Sequence, residues 1–126
     1  MSDGEIRQGG CLCGIVRYEV RGAPFRTGLC HCADCRKVTG SSFLAYADWA
    51  DGQFQYTGDV KTYDGRSFCP RCGSRLFSIG DHRVEIYLGT LDDAPSGIVP
   101  MVEGWIKRRE AWLLPLDAEQ HDEDIG

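Results

Sequence analysis

The sequence lacks any run of apolar residues that approaches the ~20 required for a membrane-spanning helix. The first ten residues are polar and glycine-rich, and they lack the apolar centre of a secretory signal peptide. From both absences we expect a soluble, cytoplasmic protein that does not bind a membrane.

An excess of positive charge is also missing. The 14 Lys and Arg residues are outnumbered by 19 Asp and Glu residues, which gives a formal net charge of -5 at pH 7. Domains that bind nucleic acid normally carry a basic patch that neutralises phosphate groups. The charge balance therefore argues against nucleic acid as the main partner.

Internal repeats and linkers are absent, and 126 residues is the length of a single domain. We expect one domain over residues 1–126, with a core from about residue 9 to about residue 116. Residues 117–126 carry five acidic groups and few apolar ones, so this acidic tail is expected to be loose and solvated.

Convincing amphipathic helices are absent as well, whereas glycine is frequent, with 16 residues. Val16, Tyr18 and Val20 alternate with polar residues, which is the pattern of a half-buried strand. Gly-Asp and Asp-Gly pairs mark turns between such segments. The sequence thus predicts a mainly β domain of antiparallel sheets. Strands are expected at residues 15–20, 43–49, 54–56, 76–79 and 84–88, and one helical turn at residues 33–38.

The seven cysteines are an odd number, so they cannot all pair in disulfides. A reducing compartment would also keep them reduced. Cys11 and Cys13 lie two residues apart and project to one face of an extended segment. Cys69 and Cys72 flank a Pro-Arg turn that Gly73 follows, as in a zinc knuckle. These four cysteines, the four-cysteine group, predict a closed metal site. Buried free thiols or a redox pair are the alternatives, and iron is the alternative to zinc.

Cys30, Cys32 and Cys35 form a second set, the three-cysteine group. Cys30 and Cys32 share a face of an extended segment, and a turn brings Cys35 beside them. His31 is expected to point the opposite way, as a hydrogen-bonding or packing residue. A zinc ion with three protein ligands keeps one position for water or substrate, which is typical of catalytic sites. The alternative is a structural site that another side chain, such as Asp34, completes.

Three thiolates donate heavily to zinc, so this zinc would be a weaker Lewis acid than one held by histidines. Its natural fourth ligand is a substrate thiol, whose pKa of ~8.5 falls on coordination. The three-cysteine group therefore predicts thiol chemistry rather than hydrolysis, with its three sulfurs as the catalytic set. Five nearby residues are candidates for substrate binding, with surface or core positions as the alternative: Arg36, Lys37, Ser41, Ser42 and Trp49.

The order of these motifs resembles a known family. The matching segments are GCLCG from Gly10, CHCADCRK from Cys30, GSSF from Gly40, FCPRCG from Phe68, YLGTLDD from Tyr87 and a late Trp112. They resemble the glutathione-dependent formaldehyde-activating enzymes, also called the centromere protein V/Gfa family, from about residue 9 to about residue 116. All seven cysteines stand at the spacing of that family.

The resemblance implies an Mss4-like, β-tent fold of antiparallel sheets around a structural zinc. It assigns the four-cysteine group to that structural zinc and the three-cysteine group to a catalytic zinc. The implied activity is the condensation of formaldehyde with glutathione to S-(hydroxymethyl)glutathione, a carbon–sulfur lyase reaction written in the synthetic direction. One position departs from the pattern, because Glu103 stands where many relatives carry a histidine.

Two other interpretations remain open. A zinc-stabilised module of this kind can bind another protein without catalysing a reaction. A redox-sensing cluster, with Cys32 and Cys35 as the exchanging pair, would release zinc and form a reversible disulfide on mild oxidation. The enzyme interpretation differs from both because it predicts that loss of Cys32 removes activity and leaves the fold intact.

Overall fold

The computed structural model describes residues 4–124, and in this range the chain forms eleven short strands and one α-helix. The strands are β1 Ile6–Gly10, β2 Arg17–Arg21, β3 Arg26–Cys30, β4 Leu44–Ala50, β5 Phe54–Thr57, β6 Lys61–Tyr63, β7 Arg66–Phe68, β8 Arg75–Gly80, β9 Arg83–Tyr87, β10 Val102–Gly104 and β11 Glu119–Gln120. The helices are α1 Ala33–Thr39 and three short 3-10 turns at Asp51–Gln53, Leu88–Thr90 and Ile106–Arg108. Across these residues no helix has the length and apolar character needed to cross a bilayer.

The strands form two sheets. β1, β2 and β5 pair antiparallel in a small sheet, with β2 in the middle. The other eight strands form a large sheet in the order β11-β10-β3-β4-β9-β8-β7-β6. Its pairs are antiparallel except that β10 runs parallel to both β3 and β11. The prediction of a mainly β fold is confirmed, and the two parallel pairs are an addition to the expected antiparallel sheets.

The main core lies between the two sheets. β2 contributes Tyr18 and Val20 to it, and one face of β4 contributes Ala47 and Trp49, all of them buried. The indole Nε1 of Trp49 donates a hydrogen bond of 2.9 Å to the carbonyl oxygen of Gly22. The assignment of Trp49 to a substrate cleft is therefore wrong, because strand alternation directs this side chain into the core.

The opposite face of the large sheet carries a second, smaller cluster. Leu44, Tyr46 and Tyr87 are buried there, and Cys30 and Cys35 pack against them. Helix α1 lies over this part of β4, so it covers one end of the face. The three-cysteine group is thus separated from the main core by the thickness of the sheet.

The acidic tail differs from its expected loose state over the residues that the structure describes. β11 pairs with β10 at the edge of the large sheet. The backbone N–H of Trp105 donates to the carbonyl oxygen of Glu123 over 3.0 Å, and its indole Nε1 donates to Asp124 Oδ1 over 2.7 Å. Without β11, β10 would be the edge strand of the large sheet with unpaired backbone groups, and the tail satisfies those groups. Residues 125–126 lie outside the described part of the chain.

Candidate metal centres

The structure brings the four-cysteine group together from two distant parts of the chain. Cys11 and Cys13 follow β1, and Cys69 and Cys72 follow β7. Their four sulfurs lie within 4.8 Å of one another, with Cys11 and Cys13 at 3.6 Å and Cys13 and Cys69 at 3.8 Å. Cys11 and Cys69 are buried whereas Cys13 is exposed, so the group lies at the edge of the main core.

Backbone N–H groups point at the sulfurs of the four-cysteine group. The amide of Cys72 lies 3.4 Å from Cys69 Sγ, and the amide of Val16 lies 3.3 Å from Cys11 Sγ. Gly73 allows the knuckle to close, because its φ of 80° is rarely adopted by residues with a side chain. Such donors favour the charged form of a thiol, so this donor set fits a divalent metal such as zinc.

Ser74 supports the same group from the side. Its hydroxyl oxygen accepts a hydrogen bond of 2.9 Å from the amide of Leu12 and lies 3.2 Å from Cys72 Sγ. The contact with Ser74 is the main cause that lowers the pKa of the Cys72 thiol to about 5. Ser74 therefore links the two halves of the four-cysteine group, a role that its position in the sequence does not reveal.

The three-cysteine group lies where β3 leads into α1. Cys30 is the last residue of β3, Cys32 is the N-cap of α1, and Cys35 lies in the first turn. The amide of Cys35 donates to Cys32 Sγ over 3.3 Å, so the sulfur acts as the side-chain cap. The three sulfurs lie within 4.8 Å of one another, and all three residues are half-buried. The predicted helical turn is confirmed; it ends at Thr39, and Gly40 is its C-cap.

Thiols this close together influence one another's protonation. Hydrogen bonding with Cys35 is the main cause that lowers the pKa of Cys30 to about 6, and the same contact raises the pKa of Cys35. One thiolate therefore forms readily, and its charge opposes ionisation of the next. A divalent cation removes this conflict, so the donor set of the three-cysteine group also fits zinc.

Within residues 4–124, no carboxylate or imidazole joins the three sulfurs in one potential metal site. Asp34, the alternative fourth ligand, is exposed, and its carboxylate lies 3.7 Å from Arg66 Nη2. His31 is buried instead, with its Nε2 at 2.8 Å from Glu103 Oε2 and its ring packed on Phe43. His31 is thus a hydrogen-bonding and packing residue, as its position between two cysteines predicts.

Glu103 connects the tail to the loop of the three-cysteine group. Its side chain is buried and accepts hydrogen bonds from the backbone N–H of Leu116 at 2.6 Å and from Gln120 Nε2 at 3.2 Å. Burial raises the pKa of Glu103, but the hydrogen bonds from Leu116, His31 and Gln120 outweigh burial and leave this pKa lowered. Glu103 therefore joins the buried His31 and the tail in one hydrogen-bond network.

A cavity of about 290 Å³, here called the site cavity, opens beside the three-cysteine group. Cys30 and Cys35 lie in its wall, and Leu44 and Tyr46 of β4 continue that wall away from the sulfurs. Trp105 lines the cavity from the side of the tail. A small molecule in this cavity would therefore have access to two of the three sulfurs.

The predicted substrate-binding residues lie around this region rather than together. Arg36 and Lys37 belong to α1, and neither is among the described residues that line the site cavity. Ser41 lines a separate cavity of about 520 Å³ that Leu44 also borders. Ser42 is half-buried and, among the described residues, lines neither cavity. A role of these four side chains in substrate binding stays a prediction.

Two carboxyl groups that the sequence analysis missed line the site cavity. They are Asp48 on β4 and Glu85 on β9, direct cross-strand neighbours that we call the carboxylate pair. Burial is the main cause that raises the pKa of Asp48 to about 6 and that of Glu85 to about 7. Asp48 does interrupt the otherwise apolar segment 43–49, which is a signal in the sequence, but its partner depends on strand register.

The chain is similar to known proteins in both sequence and fold. A sequence model described as glutathione-dependent formaldehyde-activating enzyme matches residues 6–108, a range that includes all seven cysteines. The fold is similar to that of a Rhodobacter sphaeroides protein of known crystal structure, with a TM-score of 0.55 and 20% sequence identity. That similarity covers 74% of this chain and 97% of the other, and at this identity it concerns the fold alone. No curated protein matches the sequence.

Proposed function

Because the chain belongs to the glutathione-dependent formaldehyde-activating enzyme family, we propose that it is an enzyme that adds a thiol to a small aldehyde. The model reaction joins glutathione and formaldehyde to S-(hydroxymethyl)glutathione. In the reverse direction this reaction breaks a carbon–sulfur bond, so the enzyme would be a carbon–sulfur lyase. The mainly β, Mss4-like fold of the family is the fold of this chain.

The observation that carries the proposal is the three-cysteine group in the wall of the site cavity. Its sulfurs lie within 4.8 Å of one another, and no other His, Cys, Asp or Glu between residues 4 and 124 completes the set. A zinc ion held there would offer a coordination position to a substrate thiol and lower the pKa of that thiol.

The residues of the site cavity would bind and orient the two substrates. The thiol would lie with its sulfur near Cys30 and Cys35 and its carbon chain along Leu44 and Tyr46, which exclude water from that wall. Two reactants held in one cavity react as if in a unimolecular step. The thiol sulfur bonds to the carbonyl carbon, the thiol loses its proton, and the carbonyl oxygen gains one. The addition therefore consumes no further reagent.

We propose a structural role for the four-cysteine group. It joins the turn after β1 in the small sheet to the turn after β7 in the large sheet. A zinc ion closed in by four thiolates contributes roughly 10–16 kcal/mol of apparent binding free energy to folding. The proposed complement is thus two zinc ions per chain, one in each cysteine group.

The direct test combines metal analysis with an assay of adduct formation. Zinc-loaded protein is mixed with glutathione and formaldehyde, and S-(hydroxymethyl)glutathione is measured against the uncatalysed background. We expect two zinc ions per chain and a rate above the background. A rate equal to the background, with glutathione and with several other thiols, would refute the enzyme assignment.

Cys35→Ser is the informative variant because it removes one of the three sulfurs. We expect it to lose one equivalent of zinc and the activity, with an unchanged circular-dichroism spectrum. Asp34→Asn is the matched control on the same helix, since this exposed carboxylate lies outside the sulfur group and should be dispensable. Unfolding of Cys35→Ser would instead assign a structural role to the three-cysteine group.

A protein-binding module without catalysis is the second candidate, and one observation favours it. Trp112 and Leu114 are 69% and 85% exposed, and large apolar side chains of this kind are often covered by a partner. This candidate also predicts two zinc ions and a stable fold. It differs in predicting no adduct formation, so the same assay separates the two functions.

A further inference from the structure

The site cavity carries carboxyl groups at the end away from the cysteines. Cys30 lies opposite Leu44 in the pairing of β3 with β4, and Asp48 lies four residues farther along β4. At ~3.4 Å per residue the Cα atoms of Leu44 and Asp48 are roughly 14 Å apart along the strand. Glu85 lies directly opposite Asp48 on β9, and both side chains line the cavity.

The oxygen atoms of the carboxylate pair have fewer hydrogen-bond donors around them than they can accept from. Asp48 is 1% exposed, and its Oδ1 has no hydrogen-bond partner within the described part of the chain. Asp48 Oδ2 and Glu85 Oε2 lie 3.5 Å and 3.8 Å from the same Arg83 Nη1, beyond the usual length of a hydrogen bond. Burial and the charge of Asp48 raise the pKa of Glu85 to about 7. A buried carboxylate without donors is costly, so a donor from outside the chain fits here.

The charges around the pair leave an excess of negative charge in the cavity. Arg83 is 46% exposed and is shared between the two carboxylates, and Arg26 lies opposite Asp48 on β3. Glu123 and Asp124 of the tail also line the cavity; Lys107 pairs with Glu123, whereas Asp124 accepts a hydrogen bond from the neutral indole of Trp105 and adds a negative charge. One partly exposed guanidinium shared by two carboxylates does not neutralise both of them.

We propose that the carboxylate pair binds an ammonium group of the thiol substrate while the sulfur of that substrate lies at the three-cysteine group. This inference rests on the proposed function, because it takes the site cavity as the place where the thiol binds. Glu85, whose side chain is 22% exposed, contacts the ammonium group directly. The buried Asp48 adds the attraction of its negative charge.

The length of the cavity narrows the class of substrate. An ammonium group at the carboxylate pair must be several bonds away from a sulfur at the cysteines, which excludes the shortest aminothiols. The γ-glutamyl ammonium of glutathione meets this requirement. The glycyl carboxylate of glutathione is remote from this ammonium group. The α-carboxylate is bonded to the carbon that carries the ammonium, so it would lie near Arg26 and Arg83, which also line the cavity.

Matched ligands provide the test. The affinities of glutathione and of N-acetylglutathione, which lacks the ammonium charge, are measured for the zinc-loaded protein by isothermal titration calorimetry. We expect N-acetylglutathione to bind about tenfold more weakly, since hydrogen bonds to a charged group have this order of strength. The ethyl ester of the glycyl carboxylate keeps the ammonium and should bind about as well as glutathione.

Substitutions in the carboxylate pair test whether these two residues cause the difference in affinity between the ligands. Glu85→Gln and Asp48→Asn should each weaken glutathione about tenfold and leave N-acetylglutathione unchanged, so the difference between the ligands disappears. Asp59→Asn is the matched control, because it removes an exposed carboxylate that is not among the residues of the site cavity. Circular dichroism of all three variants checks that the fold is retained.

The outcomes separate this inference from the proposed function. Equal binding of the two ligands, or no binding of either one, overturns the ammonium site. A tenfold difference that depends on Glu85 without any adduct formation supports the ammonium site and refutes the enzyme. Adduct formation with no preference between glutathione and N-acetylglutathione supports the enzyme and refutes the ammonium site.

Discussion

Asp48 is a carboxyl group that is buried to 1% exposure in the strand β4. Burial raises its pKa from 3.8 to about 6, although the charges of Arg83 and Arg26 act in the opposite direction. The folded state therefore holds the proton of Asp48 more tightly than the unfolded state does. The contribution of this group to stability is greatest below pH 3.8 and is lost as the pH rises through about 6.

We predict that Asp48→Asn increases the free energy of unfolding. The gain should be about 2–3 kcal/mol at pH 7.5 and roughly 1 kcal/mol smaller at pH 5, where native Asp48 is mostly protonated. Urea unfolding at the two pH values measures both quantities. The repulsion that Asp48 exerts on Glu85 also disappears in this variant, which adds to the gain. A gain that does not change with pH, or one equal to that of Asp59→Asn, would contradict the assigned pKa.

The hydrogen-bond partners of Glu103 could not be predicted from the sequence. The family resemblance marks it as a departure from a histidine, but its partners are Leu116, at the end of the predicted core, and Gln120, in the segment that composition marks as loose. Gln120 lies directly opposite Glu103 because β11 pairs with β10. The polar composition of the tail correctly indicates solvent exposure, but it does not exclude backbone pairing with an edge strand.

At the scale of elements, local pattern predicts five of the eleven strands in the described part of the chain. β2, β4, β5, β8 and β9 begin and end at most two residues from their predicted bounds, and α1 ends one residue beyond its predicted bound. The other six described strands were not predicted, for two reasons. β6, β7, β10 and β11 are two or three residues long, and the pairs of β10 are non-local. β1 and β3 contain glycines that are typical of turns.

The position of Gly28 in β3 leaves no room for a side chain. A Cβ at this position would lie 2.7 Å from the Tyr46 hydroxyl and 2.8 Å from Val102 Cγ2, and both neighbours are buried. We predict that Gly28→Ala lowers the free energy of unfolding by about 1–3 kcal/mol, because the strands around it must shift. Gly52→Ala is the control, since no atom lies within 4 Å of a Cβ there. Urea unfolding that gave both variants the same stability would show that the sheet can adapt.

The two parts of the site differ in how far the sequence predicts them. Cysteine spacing predicts which sulfurs meet, because the ligands of each pair, and all of the three-cysteine group, are close in the chain. The carboxylate pair depends on the register of β4 with β9, which is a property of the whole sheet. The contact of His31 with Glu103 likewise depends on the parallel pairing of β3 with β10. Neither register follows from local pattern.

In the whole molecule the two cysteine groups differ in what they connect. The four-cysteine group joins the small sheet to the large sheet, and two of its members are buried against the core between them. The three-cysteine group is supplied by one short segment at the junction of β3 and α1. Opening the first group would separate the two layers of the fold, whereas opening the second would loosen one helical turn.

We therefore predict that a chelator acts in two stages on the zinc-loaded protein. The three-cysteine group, which is half-buried and has three ligands, should lose its metal first, with loss of thiol addition and little change in near-ultraviolet circular dichroism. The second equivalent should leave only as the fold is lost, because its binding free energy is part of the folding free energy. Cys69→Ser should reproduce the second stage without chelator and bind at most one zinc ion. Simultaneous loss of both metals and of the fold in the wild type would mean that the two groups stabilise one structural unit, and the division into a structural and a catalytic site would then fail.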